Sequence, residues 1–79
     1  KRFYYAKRYK EAKRRILSFI SEKNVKGKVR AKAKLFLGRC YYYLGEYKKA
    51  LLFLKDREVR RYYRELSRVW ILRVLDRLD

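Results

Sequence analysis

The chain has 79 residues, of which 25 are lysine or arginine and eight are aspartate or glutamate, giving a formal net charge of +17. This length allows one small domain, residues 1–79, and an aromatic content of 18% excludes a disordered basic tail. Because like charges repel when a chain compacts, a good core, a bound polyanion or an acidic partner has to offset the repulsion.

The N-terminal part of the chain predicts an amphipathic helix from about Phe3 to Glu22. Its apolar positions recur at spacings of four, three, four and three, which places them on one helix face. These positions are Tyr5, Tyr9, Ala12, Ile16 and Phe19. Residues 23–27 then predict a loop, because Asn24 and Gly27 are typical helix breakers.

A second helix is predicted from about Lys28 to Leu44, and Gly45 directly after it is suited to a left-handed cap. The predicted core face of this helix comprises Val29, Ala33, Phe36, Leu37, Cys40, Tyr41 and Leu44. A third, shorter helix is predicted from about Glu46 to Lys55. Its buried positions are Ala50, Leu51 and Leu54.

Asp56 is suited to the N-cap of a fourth helix, predicted from about Arg57 to Leu78. The apolar positions of that helix are Val59, Tyr63, Leu66, Trp70, Val74 and Leu78. Nothing in the sequence decides whether the third and fourth helices are separate or form one bent rod.

The charge is distributed unevenly along the chain. Residues 1–28 contain eleven basic and two acidic side chains, residues 29–55 seven and one, and residues 56–79 seven and five. The strongest positive field is therefore expected from the first three helices.

One short pattern occurs twice in the chain. Tyr9-Lys10-Glu11-Ala12, with Ile16 four residues further on, returns as Tyr47-Lys48-Lys49-Ala50, with Leu54 four residues further on. The offset between the two copies is 38 residues. A repeat of this period is typical of arrays of helical hairpins.

The middle of the chain resembles a tetratricopeptide repeat. Leu37-Gly38 is followed by Tyr41, which matches the Leu-Gly-x-x-Tyr part of the family signature. The segment Leu44-Gly45-Glu46-Tyr47 resembles the family's turn, Ala50 falls in its small-residue slot and Leu54 in its Phe slot. The match extends over about twenty residues, and residues 9–19 resemble the second helix of a preceding repeat.

The chain also departs from this pattern. Lys34 stands in the family's Trp slot, Arg57 in a later alanine slot, and the proline that ends a repeat has no counterpart. The resemblance implies an all-α fold of antiparallel helical hairpins with a C-terminal capping helix. It also implies a scaffold that binds proteins or peptides in a groove. We assign six residues to packing: Leu37, Gly38, Tyr41, Ala50, Leu54 and Trp70.

The residue types that most enzymes use are scarce in this sequence. It contains no histidine and one cysteine, so an imidazole base and a cysteine zinc site are excluded. The eight acids form no convincing catalytic pair, and the three glycines are too far apart for a phosphate-cradling loop. We therefore expect no catalysis, no metal and no cofactor.

Cys40 lies in an apolar helical pattern and is expected to be a buried, inert thiol. A lone cysteine, no visible signal peptide and no apolar run long enough to span a bilayer predict a cytoplasmic protein.

Two sets of basic residues are candidates for binding anions. The first set lies on the first two predicted helices, nearly without acids, whereas an inert surface normally mixes signs. It comprises Lys7, Arg8, Lys10, Arg14, Lys28, Lys32, Lys34 and Arg39. The second set is a row on the fourth predicted helix at spacings of four, three and four, namely Arg57, Arg61, Arg64 and Arg68.

The arginine row has two interpretations. On a straight helix it would extend over roughly 16 Å and could follow phosphates. It could also be a solvated face partly neutralised by Glu58 and Glu65, and the sequence favours this second interpretation for the row alone.

We expect a binding module that contacts nucleic-acid phosphates, a partner protein, or both, without sequence specificity. Exposed tyrosines such as Tyr4, Tyr42, Tyr43 or Tyr62 could stack on bases, although packing between helices is the simpler role for most of them. Three alternatives stay open: an adaptor for an acidic peptide or subunit, a cationic helix acting at anionic membranes, which the pattern disfavours, and a designed helical protein without a natural ligand.

Overall fold

Five α-helices form the fold in a computed structural model that describes the backbone of residues 2–78 and the side chains of residues 7–78. They are α1 (Arg2–Ile20), α2 (Gly27–Tyr43), α3 (Tyr47–Leu54), α4 (Arg57–Tyr62) and α5 (Arg64–Leu78). Between residues 2 and 78 there is no strand, which confirms the all-α class. The side chain of Tyr5, predicted to be apolar core, lies outside the described residues.

The turn between α2 and α3 depends on the predicted glycine cap. Gly45 has φ +79°, in the left-handed region that glycine adopts without strain. Its N–H donates to the Tyr42 carbonyl over 3.1 Å, and the Glu46 N–H donates to the Tyr41 carbonyl over 2.9 Å. These two bonds form a Schellman motif, which ends α2 and reverses the chain into α3.

Helix α2 occupies the centre of the fold, with α1, α3 and α4 packed against it. α1 runs antiparallel to α2, since Tyr9 stacks on Tyr43 with ring centroids 4.7 Å apart. α3 also runs antiparallel to α2 and approaches it closely at Gly38. A Cβ added there would lie 2.7 Å from Leu54 Cγ and 3.4 Å from the Ala50 carbonyl oxygen. The bare backbone of Gly38 therefore sets the spacing between these helices.

The core lies where α2, α3, α4 and α5 meet. Its buried members are Leu35, Leu37, Tyr41, Ala50, Leu54, Val59, Trp70 and Val74. Ile16 and Ile20 of α1 pack against this cluster from outside. Aromatic rings surround Trp70: Tyr42 and Tyr43 meet its ring edge to face, with centroids 5.6 and 5.8 Å away.

The predicted core face of α2 is partly wrong. Val29 and Phe36 are exposed, whereas Ala31, Lys34 and Leu35 are buried. The reason is that α2 has neighbours on three sides, so its buried face is wider than the single stripe that an amphipathic pattern describes.

The predicted fourth helix is broken at Tyr63, where φ is −134° and ψ is 48°. α4 packs on α2 and α5 packs mainly on α3, and a straight rod could not reach both partners. The predicted core positions Val59, Trp70 and Val74 are buried, whereas Leu66 and Leu78 are exposed. Beyond the break Ser67 is buried in place of Leu66.

The C-terminal end of α1 also differs from the prediction. Phe19 is exposed, and Ile20 packs towards the core in its place. The helix ends at Ile20, two residues before the predicted boundary at Glu22.

Candidate anion-binding cleft

A concave basic surface forms where the chain turns from α3 through α4 into α5. Asp56 begins α4 as an N-cap, as predicted, and its Oδ1 accepts the Glu58 N–H over 2.9 Å. The break at Tyr63 lasts one residue, so α5 follows α4 directly and helical hydrogen bonds are made on both sides of it. The Tyr63 N–H donates to the Val59 carbonyl over 2.7 Å, and the Ser67 N–H donates to the Tyr63 carbonyl over 2.8 Å.

We call this surface the arginine cleft. It is an open cavity of about 580 Å³, lined by Lys55, Arg57, Arg60, Arg61 and Arg64. All five side chains are exposed cations, and no acidic side chain is among the lining residues that the structure describes. Arginine presents a planar fork of N–H donors that matches a phosphate, so this set is suited to an anion with several phosphates.

A second hollow of about 430 Å³ continues the cleft along α5. Lys55, Arg60 and Arg64 line both hollows, and Ser67, Arg68, Ile71 and Leu72 complete the second. This extension therefore combines cations with apolar side chains.

Glu58, one of the two carboxylates expected to neutralise the arginine row, forms ion pairs with cations of α2 instead. Glu58 Oε1 lies 2.9 Å from Lys34 Nζ and 3.3 Å from Arg30 Nε, both on α2. Asp56 Oδ2 lies 3.1 Å from the same Lys34 Nζ. α4 thus turns its acids inward to α2 and its arginines outward. Glu65 is exposed, lines neither hollow and makes no ion pair within the described part of the chain.

The cleft assembles most of the predicted arginine row but not as a straight line. Arg57, Arg61 and Arg64 line it, and Arg68 lies in its extension. Sequence reasoning missed Lys55 and Arg60. The absence of any acid between positions 59 and 64, with three arginines there, was the available signal for Arg60.

The predicted cations of α1 lie elsewhere. Lys7, Arg8, Lys10 and Arg14 are all exposed, and none lines the cleft. Arg8 belongs to a separate shallow hollow that also contains Glu11.

The four predicted cations of α2 have different surroundings. Lys28 and Lys32 are exposed. Lys34 is buried between two carboxylates, so its ammonium is unavailable to an external anion. We therefore remove it from the predicted anion-binding residues. The Arg39 guanidinium packs over the Trp70 ring, 4.7 Å from its centroid. Its role is therefore packing as well.

The tyrosines offer little for stacking on bases. Tyr42 and Tyr43 are engaged in the aromatic cluster around Trp70, and Tyr4 lies outside the described side chains. Tyr62 is exposed, with the Arg61 guanidinium 5.7 Å from its ring centroid, but it does not line the cleft. No tyrosine is among the described residues that line the cleft or its extension.

Three further features of the described residues concern the Cys40 thiol, metal ligands and membrane spans. Burial raises the pKa of the Cys40 thiol, and the charges of Arg39 and Lys13 oppose this only in part. Among the residues described, no group of acids and cysteine is arranged to hold a metal ion. None of the described helices combines the length and the apolar character that a bilayer crossing requires.

The six residues assigned to packing are all buried in the structure: Leu37, Gly38, Tyr41, Ala50, Leu54 and Trp70. Comparison with protein-family models, with curated proteins and with solved structures gives no match for this chain, so the tetratricopeptide resemblance rests on its own residues alone.

Proposed function

We propose that this domain is a non-enzymatic binding module that holds nucleic acid by its phosphates, without reading sequence. The observation that carries the proposal is the arginine cleft, where five cations line one cavity with no acid among them. Clustering like charges destabilises a free domain, and a bound polyanion removes that cost. Phosphate contacts position a protein on nucleic acid but carry no sequence information.

The balance of charge in the rest of the domain supports the same proposal. Of the 23 basic residues whose side chains the structure describes, four form ion pairs with acids, namely Lys13, Arg30, Lys34 and Lys49. Most of the excess positive charge is therefore left on the surface. The helical-hairpin scaffold that the tetratricopeptide resemblance implies would present this charge on rigid elements.

The proposal is tested by the salt dependence of binding to a short DNA duplex. The cleft variant replaces Arg57, Arg60 and Arg64 by Gln, and a matched variant replaces Lys23, Lys26 and Lys48 by Gln, three exposed lysines that lie outside the cleft. Each phosphate contact contributes about 0.9 to the slope of log K against log salt. We expect the cleft variant to lose about 3 from that slope and at least ~10-fold in affinity, and the matched variant to lose much less.

Two results would contradict this proposal. Equal losses in both variants would show that bulk charge, and not the cleft, binds the duplex. No retention of duplex or single-stranded DNA at low salt would remove nucleic acid as the ligand. Circular dichroism of each variant checks that the helices are intact, and a second duplex of unrelated sequence checks that binding is insensitive to sequence.

A second candidate is an adaptor for an acidic peptide or subunit. It is favoured by the extension of the cleft, where Arg68 lies beside Ile71 and Leu72. An amphipathic acidic helix could place carboxylates on the cations and apolar side chains on this end. Substituting the exposed Leu72 by Ser separates the two functions, because the change would weaken such a peptide and leave DNA affinity unchanged.

A further inference from the structure

A second basic surface lies on α1, outside the arginine cleft. Lys7, Lys10 and Arg14 are exposed and lie three and four residues apart, so they share one side of the helix. We call these three residues the α1 ridge. None of them forms an ion pair with any carboxylate that the structure describes.

The ridge faces away from the rest of the domain. The opposite side of α1 carries Ile16 and Ile20, which pack against the core cluster. Lys13, on the flank of α1, turns inward: its Nζ lies 3.6 Å from Glu46 Oε2 and 5.4 Å from the centroid of the Tyr41 ring. Among the described cations of α1, Lys13 is thus used internally, the three of the ridge point to solvent, and Arg8 and Arg15 line the separate hollow with Glu11.

The ridge and the cleft are built from different helices. Among the described helices, α2 alone has backbone close to α1, whereas the cleft is formed by α4, the start of α5 and Lys55. No side chain described on α1, residues 7–20, lines the cleft or its extension. On α4, the buried Val59 lies on the side opposite to Arg57 and Arg61, so the cleft also opens outward from the core.

The two surfaces use different cations. No cation of the α1 ridge lines the cleft, and no cation that lines the cleft belongs to α1. At 0.1 M salt the Debye length is about 10 Å, so the attraction of each surface for a phosphate acts over a short range. A strand bound on one surface therefore leaves the cations of the other unoccupied.

We propose that one copy of this domain holds two nucleic-acid segments at the same time, one in the arginine cleft and one on the α1 ridge, and so bridges them. This inference rests on the proposed function, because each surface must first bind phosphates. A bridging module brings two segments together by occupying both of its sites, and the effective concentration of the second segment rises once the first is bound.

A two-duplex capture assay tests the bridge. One duplex is held on beads, a second fluorescent duplex of unrelated sequence is free, and the fluorescence retained is measured as protein is added. We expect the wild-type protein to capture the free duplex at intermediate concentrations and to release it when excess protein coats each duplex separately. Anisotropy with a single duplex measures simple binding in parallel.

Three variants, each lacking three positive charges, separate the surfaces. The ridge variant replaces Lys7, Lys10 and Arg14 by Gln. The cleft variant and the matched variant are those described above. The ridge variant should bind a single duplex almost as tightly as the wild type, because its cleft is intact, and the cleft variant should bind at least ~10-fold more weakly. Both should lose capture even at protein concentrations that restore single-duplex binding. The matched variant should retain both activities.

The outcomes distinguish the two proposals. If the wild-type protein binds one duplex but captures no second duplex at any ratio, bridging is wrong and the proposed function stands. If it binds no duplex, both are wrong. Capture that persists in the ridge or the cleft variant would show that association between protein copies joins the duplexes, and this also overturns a two-surface bridge.

Discussion

Lys34 shows how a single residue can have a role opposite to the one its type suggests. A lysine in a chain with a net charge of +17 was expected to contact an external anion, yet its ammonium lies between Asp56 and Glu58. The Lys34 side chain is 11% exposed, while the two acids are about a third exposed. The lysine thus draws both acids of the α4 start towards α2.

Replacing Lys34 by Ala should lower the free energy of unfolding. Removing one partner of a buried ion pair lowers the free energy of unfolding by about 3–5 kcal/mol. Because both acids are partly exposed, we expect a loss of about 2 kcal/mol here. Urea denaturation measures the change. Lys32→Ala, at an exposed position two residues away, is the control and should stay within about 0.5 kcal/mol of the wild type. A similarly small effect at Lys34 would contradict the structural role of the pair.

Gly38→Ala should also destabilise the protein, although alanine favours helices by about 1 kcal/mol over glycine. The added Cβ would lie 2.7 Å from Leu54 Cγ, and Leu54 is fully buried and cannot swing into solvent. Overpacking costs about 1–3 kcal/mol, which outweighs the gain in helix propensity. Thermal unfolding measures the difference.

The control for Gly38 is a double-mutant cycle with Leu54→Ala. Because Leu54→Ala removes the atoms that clash, the double variant should cost about 1 kcal/mol less than the sum of the single changes. Additive effects would show that the close approach of α3 to α2 is not the reason for this glycine.

At the level of elements, α4 is the helix that depends most on its surroundings. It has six residues, far fewer than an isolated helix needs in water. Three features hold it: the Asp56 cap, the ion pairs of Asp56 and Glu58 with Lys34, and the buried Val59. Because three residues of the arginine cleft lie on α4, the shape of the cleft depends on the same contacts.

Asp56→Ala should therefore affect both stability and binding. It removes the cap bond and one of the two carboxylates on Lys34, for a combined loss of about 2 kcal/mol in the free energy of unfolding. Removing a negative charge would by itself strengthen DNA binding, so a weaker affinity measured well below the melting temperature would reveal loss of cleft geometry. Asp76→Ala, at an exposed position on α5, is the control and should bind DNA slightly more tightly.

At the level of the whole molecule, we expect charge repulsion to outweigh internal ion pairing. Among the described side chains, five ion-pair contacts involve four basic residues, while the chain has a net charge of +17. Raising the salt concentration weakens both the repulsion and the ion pairs, and the larger of the two decides whether the melting temperature rises or falls. We expect the melting temperature to rise by about 5 °C between low and moderate salt, as a gain of about 1 kcal/mol would produce in a domain of this size.

A polyanion should stabilise the protein at far lower concentration than simple salt. Binding to the native state adds stability by mass action, so micromolar tripolyphosphate should raise the melting temperature where the same ionic strength of sodium chloride does not. The cleft variant should lose most of this increment, and the matched variant should keep it. A melting temperature that falls as salt is added would show that ion pairs, and not repulsion, dominate.

The sequence alone determined the local features of this protein. The helical class, the cap at Gly45, the cap at Asp56 and the short turn between α2 and α3 all follow from residues close in the chain. They could be predicted because each depends on backbone preferences and hydrogen bonds within a few positions. The close approach at Gly38 was suggested in the same way, although not its partner Leu54.

The tertiary structure alone decided the break at Tyr63, the burial of Lys34 and the composition of the cleft. A periodic pattern describes one helix face at a time, whereas α2 is packed on three sides and α4 and α5 have different partners. Which charges are neutralised depends on distances between residues 22 and 24 positions apart, as with Lys34 and its two acids. Such distances are set by packing across the whole domain, which no local pattern contains.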